Sequence, residues 1–369
     1  MEKAEFRRNA ADMIYLTACA VNGRKPKQER IDRLDLPKLF EVCQKHILTA
    51  CVAYALESAG VKDNDFTQAK EKAIRKNILL DAERRTILRK LEAEKIWYMP
   101  LKGSLLHNWY PKLGMRQMSD NDILFDISRR EDVRNIMYDF GYRLKSELEV
   151  VDEYLKEPVY NFEMHGELFM EYQVGAMADY YRRIKSRMLK DNNNEYGYHF
   201  SNEDFYLFMM AHEYKHFSGG GTGVRSLVDT YVFLRKFKNS LDWDYLSTEL
   251  EKIGIADFER NNRELAMKVF SFKPLTIEDK KLLDYFVMSE TYGTLENSVN
   301  NRIVRDGGGS KVKYLWYRIF PRIDTYRVYY PWAYNHKFLL PVAWGYRLIR
   351  ALTTRRKKVS KEINVLRNK

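Results

Sequence analysis

The feature that most constrains how this chain can fold is a pair of aspartates, Asp120 and Asp122, leading into the apolar run Ile123-Leu124-Phe125. Carboxylates at i and i+2 of a strand share a face. Upstream, a short apolar run over residues 96–101 ends in Lys102-Gly103-Ser104. A helix is expected over residues 104–109, ended by Pro111, and the loop WYPKLGMR carries the chain on to the aspartates. Residues 97–125 therefore read as strand, turn, helix, loop and strand, with two carboxylates facing a Gly-Ser turn. That arrangement suits a divalent metal and a polyphosphate.

The same character continues to about residue 175. Residues 121–127 are the strand. Ser128, three before Glu131, has capping-box spacing and opens a helix to about Phe140, with Gly141 at its C-cap. Two strand-like runs follow, 159–165 and 168–174, split by Gly166-Glu167 as in a β-hairpin. On either side the pattern is helical. Leu36, Leu39, Phe40, Cys43, Ile47, Cys51 and Tyr54 recur at helical spacing, with Pro37 in a first turn. Ile74, Ile78, Leu79, Ala82, Ile87, Leu88 and Leu91 predict a long amphipathic helix to about Glu94. Asp191-Asn192-Asn193-Asn194 is a polar turn, and helices resume at Ser201, broken by the glycine-rich residues 219–223. Gly307-Gly308-Gly309-Ser310 reads as a flexible linker.

The chemistry follows from these placements. A Gly-Ser turn opening a helix offers unpaired backbone N–H groups and the positive helix end to phosphates. Asp120 and Asp122 supply hard oxygen ligands for Mg²⁺ or Mn²⁺, and two metals on shared carboxylates activate a hydroxyl and stabilise leaving pyrophosphate. A third carboxylate on a neighbouring strand completes such a site. Glu171 in FMEYQV is the candidate and Glu163 the alternative. Arg116, just before the aspartates, is a candidate contact for phosphate or acceptor. D-x-D alone is a weak signal, and its weight here comes from the turn, the strands and the later carboxylate.

A second constellation competes. His212-Glu213-Tyr214-Lys215-His216 is a literal H-E-x-x-H, which on a helix sets two histidines on one face for Zn²⁺, with Glu213 as general base. The extended zinc motif needs a third histidine where this chain has Thr222, and nothing marks Glu249 or Glu251 as its substitute. The alternative roles are contact of His212, Lys215 or His216 with substrate at the aspartate site, or packing with Asp229 paired to Arg225 at i, i+4. Residues 219–223 lack the P-loop pattern, and no G-x-S-x-G elbow is present.

The pattern LKGSLL, YP, R and SDNDILF resembles the nucleotidyltransferase superfamily of the DNA polymerase β type. It resembles more closely an uncharacterised bacterial nucleotidyltransferase family that carries Lys-Gly, Tyr-Pro, Arg and D-x-D in this order. The resemblance implies that Lys102, Gly103, Ser104 and Arg116 bind the nucleotide (ATP or another NTP) and that Asp120, Asp122 and Glu171 hold the metal and do the catalysis. It extends to AHEYKHF, with His212, Lys215, His216 and Asp229 as substrate contacts, and to FP, YYP and LLPVAWGYRL in the tail. Asn121 departs from the usual apolar residue between the aspartates, but in a strand it faces away from them. The expected fold is α+β: a nucleotidyltransferase-type mixed α/β core (91–190), flanked by an N-terminal helical region (1–90), a helical lobe (191–306) and a basic, aromatic-rich extension (307–369).

Bulk properties bound the rest. A 45 % hydrophobic and 31 % charged composition fits a globular protein, and a formal charge of +12 permits an anionic partner without choosing one. Cys19, Cys43 and Cys51 have no metal or disulfide spacing, and the N-terminus lacks a signal peptide's apolar segment, so a cytoplasmic setting is expected. Residues 338–352, followed by Arg355, Arg356, Lys357 and Lys358, read either as an interfacial helix touching a membrane or as a helix docked on the body, with Pro341 interrupting the apolar stretch. Nucleotidyl transfer from an NTP to an unidentified acceptor (small molecule, sugar, protein or RNA) is the leading reading. A zinc hydrolase on HEYKH and a non-catalytic membrane- or nucleic-acid-binding protein are the alternatives.

Overall fold

In the computed structural model, residues 1–367 other than 170, 292, 322 and 355 are described; for 171–175, 324, 327, 328, 331, 352, 357 and 358 only the backbone is. The chain divides into two units, Met1–Tyr214 with Gly223–Val287, and Lys215–Thr222 with Met288–Lys369.

The sheet of the first unit has five strands: β1 (Tyr98–Pro100), β2 (Asn121–Phe125), β3 (Arg143–Glu147), β4 (Val151–Lys156) and β5 (Tyr160–His165). Their order is β1-β2-β5-β4-β3, with β2 and β5 parallel and the other neighbours antiparallel. Every residue of β2 is buried, as expected for a strand covered on both faces. A short ribbon pairs β6 (Leu189–Lys190) with β7 (Tyr198–His199).

Helices surround the sheet. They are α1 (Lys3–Val21), α2 (Gln28–Ile31), α3 (Leu36–His46), α4 (Thr49–Ala59), α5 (Asn64–Ala93), α6 (Gly103–Leu106), α7 (Arg130–Asp139), α8 (Glu171–Tyr181), α9 (Asn202–Gly219), α10 (Val224–Phe237), α11 (Trp243–Ile253), α12 (Ala256–Phe270) and α13 (Ile277–Ser289). One face of β2 sets Ile123 and Phe125 against Ile87 and Leu91 of α5 and Val133, Ile136 and Met137 of α7. The other face sets Leu124 in a cluster with Leu101, Leu106, Phe205, Phe208 and Phe233. Burying such side chains contributes about 1.5–3 kcal/mol each, so the two clusters fix which face Asp122 shares with Leu124.

The structure corrects several local expectations. The helical run from Leu36 to Tyr54 is two helices, because Ile47 takes a left-handed conformation (φ 54°) at the end of α3. The buried face of α5 is Ala73, Asn77, Leu80, Arg84, Ile87 and Leu91, and Ile78 is exposed. Two polar residues occupy that face because each has a partner: Asn77 Nδ2 donates to the Arg116 carbonyl at 3.2 Å and Arg84 to Asn121 Oδ1 at 3.0 Å. Ser128 does not cap a helix; its own N–H donates to the Asp126 carboxylate ahead of α7. The hairpin is β4–β5. Residues 171–174 open α8 and are not a strand.

The second unit continues with α14 (Leu295–Gly307), α15 (Lys311–Ile319), α16 (Asp324–Tyr329), α17 (Pro331–Asn335), α18 (Leu340–Leu352) and α19 (Arg356–Arg367). The segment 307–310 is not a loose linker: Gly308 ends α14 in a left-handed C-cap, and the Ser310 hydroxyl accepts from Lys313 N–H to start α15. Pro341 lies in the first turn of α18 and starts that helix instead of breaking it. Among the described residues no helix is long and apolar enough to cross a membrane.

Candidate active site

The site forms where β2 lies parallel to β5. The register opposes Asp122 to Glu163 and Leu124 to His165, so Asp122, Glu163 and His165 point from one face of the sheet. His165 Nε2 lies 2.9 Å from Asp122 Oδ1 and 3.6 Å from Glu163 Oε2. Lys102 Nζ lies 3.3 Å from the same Asp122 oxygen. Asp120 stands one residue ahead of β2, at the rim.

Burial and the closeness of three carboxyl groups set the electrostatics here. Burial raises the carboxyl of Glu163 to about 7, with the charges of Asp122 and Asp120 adding to the effect and Lys102 opposing it. Burial and the neighbouring Asp122 charge raise Asp120. Burial also opposes ionisation of Asp122, but Lys102 and His165 outweigh it and hold that carboxylate charged. Lys102 sits in a strained left-handed conformation, φ 39° and ψ −111°, between β1 and α6. Its carbonyl accepts from the N–H of Leu105 and of Leu106, which fixes the turn while the ammonium reaches Asp122.

These residues suit a divalent cation. Asp122, Glu163 and His165 each offer one ligand atom, all within 4.8 Å of one another, and they form the one such group of three among the described residues. Two carboxylates and an imidazole are hard and borderline donors that divalent cations accept. The ammonium of Lys102 on Asp122 marks the place as one that takes positive charge.

The loop between Gly103 and Asp120 is pinned from several sides. Asp229 of α10 accepts from Tyr110 Oη at 2.6 Å and from Arg116 Nε and Nη2 at 2.8 and 3.0 Å. Tyr54 Oη donates to the Leu113 carbonyl at 2.7 Å, and Gln117 Oε1 accepts from Thr49 Oγ1 and from the N–H of Ala50. Lys76 Nζ donates to the Ser119 carbonyl. The Trp109 ring packs edge-on against Phe205, Phe233 and Phe237. The length of this loop is thus structure that ties the sheet to the N-terminal helices and to α10.

The residues expected at the site divide accordingly. Asp120, Asp122 and Lys102 come together. Glu171 opens α8 instead of lying on a strand, and its side chain lies outside the described residues; the strand carboxylate is Glu163. Arg116, expected to contact phosphate, is held bidentately by Asp229. Asp229, expected as a substrate contact, is buried and accepts from Tyr110 and Arg116. Ser104 is buried, and its hydroxyl donates to the Leu101 carbonyl at 2.6 Å, within the turn. The helix it opens is only four residues long. A Cβ on Gly103 would fall 2.7 Å from Arg116 Nη1, so the guanidinium held by Asp229 would have to shift to admit a side chain there. Asn121 faces away from the carboxylates, with Nδ2 donating to the Leu80 carbonyl.

A model of a family described as uncharacterised nucleotidyltransferase matches residues 32–271, more than half of the chain. The chain belongs to this family. No curated protein and no solved structure matches it. Nucleotidyl transfer is therefore the reaction class of this enzyme. The match takes in α3 to α12, hence the sheet, the pinned loop and Asp229, and ends before α13.

The H-E-x-x-H helix of this nucleotidyltransferase holds its central glutamate inside the fold. Its Glu213 is buried and accepts from Asn262 Nδ2 at 2.7 Å, and Glu249, a remote candidate ligand, is bound by Arg187, Tyr180 and Lys252. His212 belongs to the first unit; Lys215 and His216 belong to the second. The site residue that sequence reasoning missed is His165. Its signal was Glu163 and His165 at i and i+2 of one strand, the same spacing that singled out Asp120 and Asp122.

Proposed function

We propose that this nucleotidyltransferase moves a nucleoside monophosphate from an NTP to a hydroxyl-bearing acceptor and releases pyrophosphate, with Asp120, Asp122, Glu163 and His165 as its charged centre. The observation that carries this reading is the convergence of Asp122, Glu163 and His165 on one face of two parallel strands, beside Lys102. Asp122, Glu163 and His165 would hold Mg²⁺ or Mn²⁺, which supplies charge neutralisation at the reacting phosphoryl group. Lys102 brings a second positive charge to the same place. In the transfer, the acceptor oxygen bonds to the α-phosphorus, the bond from that phosphorus to the β-bridging oxygen breaks, and the acceptor proton passes to a carboxylate of this group. The protein contributes position and electrostatics, not a covalent intermediate.

The test is a thermal-shift screen of the four common NTPs with Mg²⁺ or Mn²⁺, followed by transfer of labelled nucleotide onto cell extract. Stabilisation by at least one NTP–metal pair, lost in Asp122→Asn, is the expected result. No stabilisation by any NTP with either metal overturns the reading.

A further inference from the structure

The chain's excess positive charge is concentrated at one end. Residues 311–369 hold fifteen Lys and Arg against two acids, Asp324 and Glu362, while the formal charge of the whole chain is +12. The preceding 310 residues are close to neutral. The same segment carries twelve Tyr, Trp and Phe residues, and it lies beyond the residues 32–271 that the family model matches.

Two helices there are apolar on the outside as well as the inside. α15 buries Tyr314 against Val299 and Ile303. It turns Val312, Leu315, Trp316 and Ile319 to solvent, with Val312 77 % and Trp316 62 % exposed. These positions, i, i+3, i+4 and i+7, form one helix face. α18 buries Ala343 among Tyr326 and Ala333. It exposes Val342, Tyr346 and Ile349, at i, i+4 and i+7, with Val342 59 % and Ile349 63 % exposed. Lys311, Lys313 and Arg350 are exposed beside these stripes.

We propose that α15 and α18 form a docking surface for an anionic phospholipid bilayer, each helix lying in the headgroup layer with its outer apolar stripe inserted. Charge complementarity selects this occupant. The segment's net positive charge complements anionic headgroups, the Trp and Tyr rings suit the interface, and the aliphatic stripes find hydrocarbon. α18, at thirteen residues, is too short to span and suits an in-plane position. A second copy of the chain would bring the same positive segment against itself. A nucleic acid would use the rings and cations but leave Val312, Ile319, Val342 and Ile349 with nothing to bury against. This surface stands independently of the proposed reaction.

Flotation of the full chain with vesicles tests it, using phosphatidylcholine alone or phosphatidylcholine mixed with phosphatidylglycerol. The expected result is capture by the mixed vesicles, about tenfold or more above phosphatidylcholine alone, weakening as salt rises. The double variant Val312→Glu/Ile349→Glu changes two exposed side chains, so its melting curve should match the parent while vesicle capture falls about tenfold. Equal capture by neutral vesicles, or undiminished capture of the double variant, overturns the proposal. So does a dimer in light scattering that the double variant dissolves, or salt-sensitive RNA binding without vesicle capture.

Discussion

The tie between Arg116 and Asp229 decides whether the long loop before the aspartates is scaffold or substrate contact, and replacing Asp229 by Asn tests it. Both side chains are about one-tenth exposed, and the carboxylate accepts from Arg116 twice and from Tyr110 once. Asparagine keeps one acceptor oxygen but turns an N–H₂ toward Arg116 and leaves its charge buried without a counter-ion. Breaking a buried pair from one side costs about 3–5 kcal/mol, and the surviving acceptor places this case near the lower end, about 3 kcal/mol. For a first unit of this size the unfolding entropy is about 0.6 kcal/mol/K, so the melting temperature should fall by about 5 °C. The double variant Arg116→Met/Asp229→Leu removes both charges and should recover about 2 kcal/mol of the loss. Urea unfolding of the parent, the three single variants and the double variant closes the cycle. A cost below about 1 kcal/mol for Asp229→Asn, or a double variant as unstable as the sum of its singles, refutes the reasoning. Arg116→Met that leaves stability intact and only raises the KM for NTP would return Arg116 to the role of phosphate ligand.

Four further outcomes are expected. Asp122→Asn should abolish transfer while leaving the circular-dichroism spectrum and cooperative melting intact; residual transfer near the parental rate would remove Asp122 from the reaction. Glu163→Gln should lower transfer at least about a hundredfold and weaken Mn²⁺ binding measured by calorimetry, whereas Glu171→Gln should do neither; the reverse ranking would make Glu171 the third carboxylate. Burial raises Glu213 from 4.5 to about 7, against hydrogen bonds from Ser226 and Asn262 and with the nearby Asp229 adding. The folded state then keeps this proton where the unfolded state has lost it, so stability is full below pH 4.5 and falls by up to about 3 kcal/mol as pH rises to 7. Glu213→Gln should match the parent at acid pH and exceed it above pH 7 in denaturant melts. Gly114 has φ 81°, and a Cβ there would fall 2.7 Å from Ile74 Cγ1, so Gly114→Ala should cost about 2–4 kcal/mol by thermal melting; a neutral effect would show the loop is not pinned.

What the sequence determined by itself is local. The α+β class, the strand at Asn121, the long helix ending near Glu94 and the rotation of Asn121 away from the aspartates follow from side-chain period alone. The ordering of Lys-Gly, Tyr-Pro, Arg and D-x-D is likewise legible in the chain itself. What only the tertiary structure decided is which side chains meet across elements. Nothing in local pattern says that β2 pairs in parallel with β5, and that one register brings Glu163 and His165 to Asp122. Residues 171–174 have a strand's composition, but the chain after β5 turns into α8, so Glu171 leaves the sheet. Arg116 and Asp229 are 113 residues apart, and their pairing appears only when α10 packs against the loop. Asn77 and Arg84 look like surface residues of an amphipathic helix until the back of β2 and the loop supply their partners. Period fixes where a side chain points; sheet register and helix docking fix what it finds there, because both depend on contacts far apart in the chain.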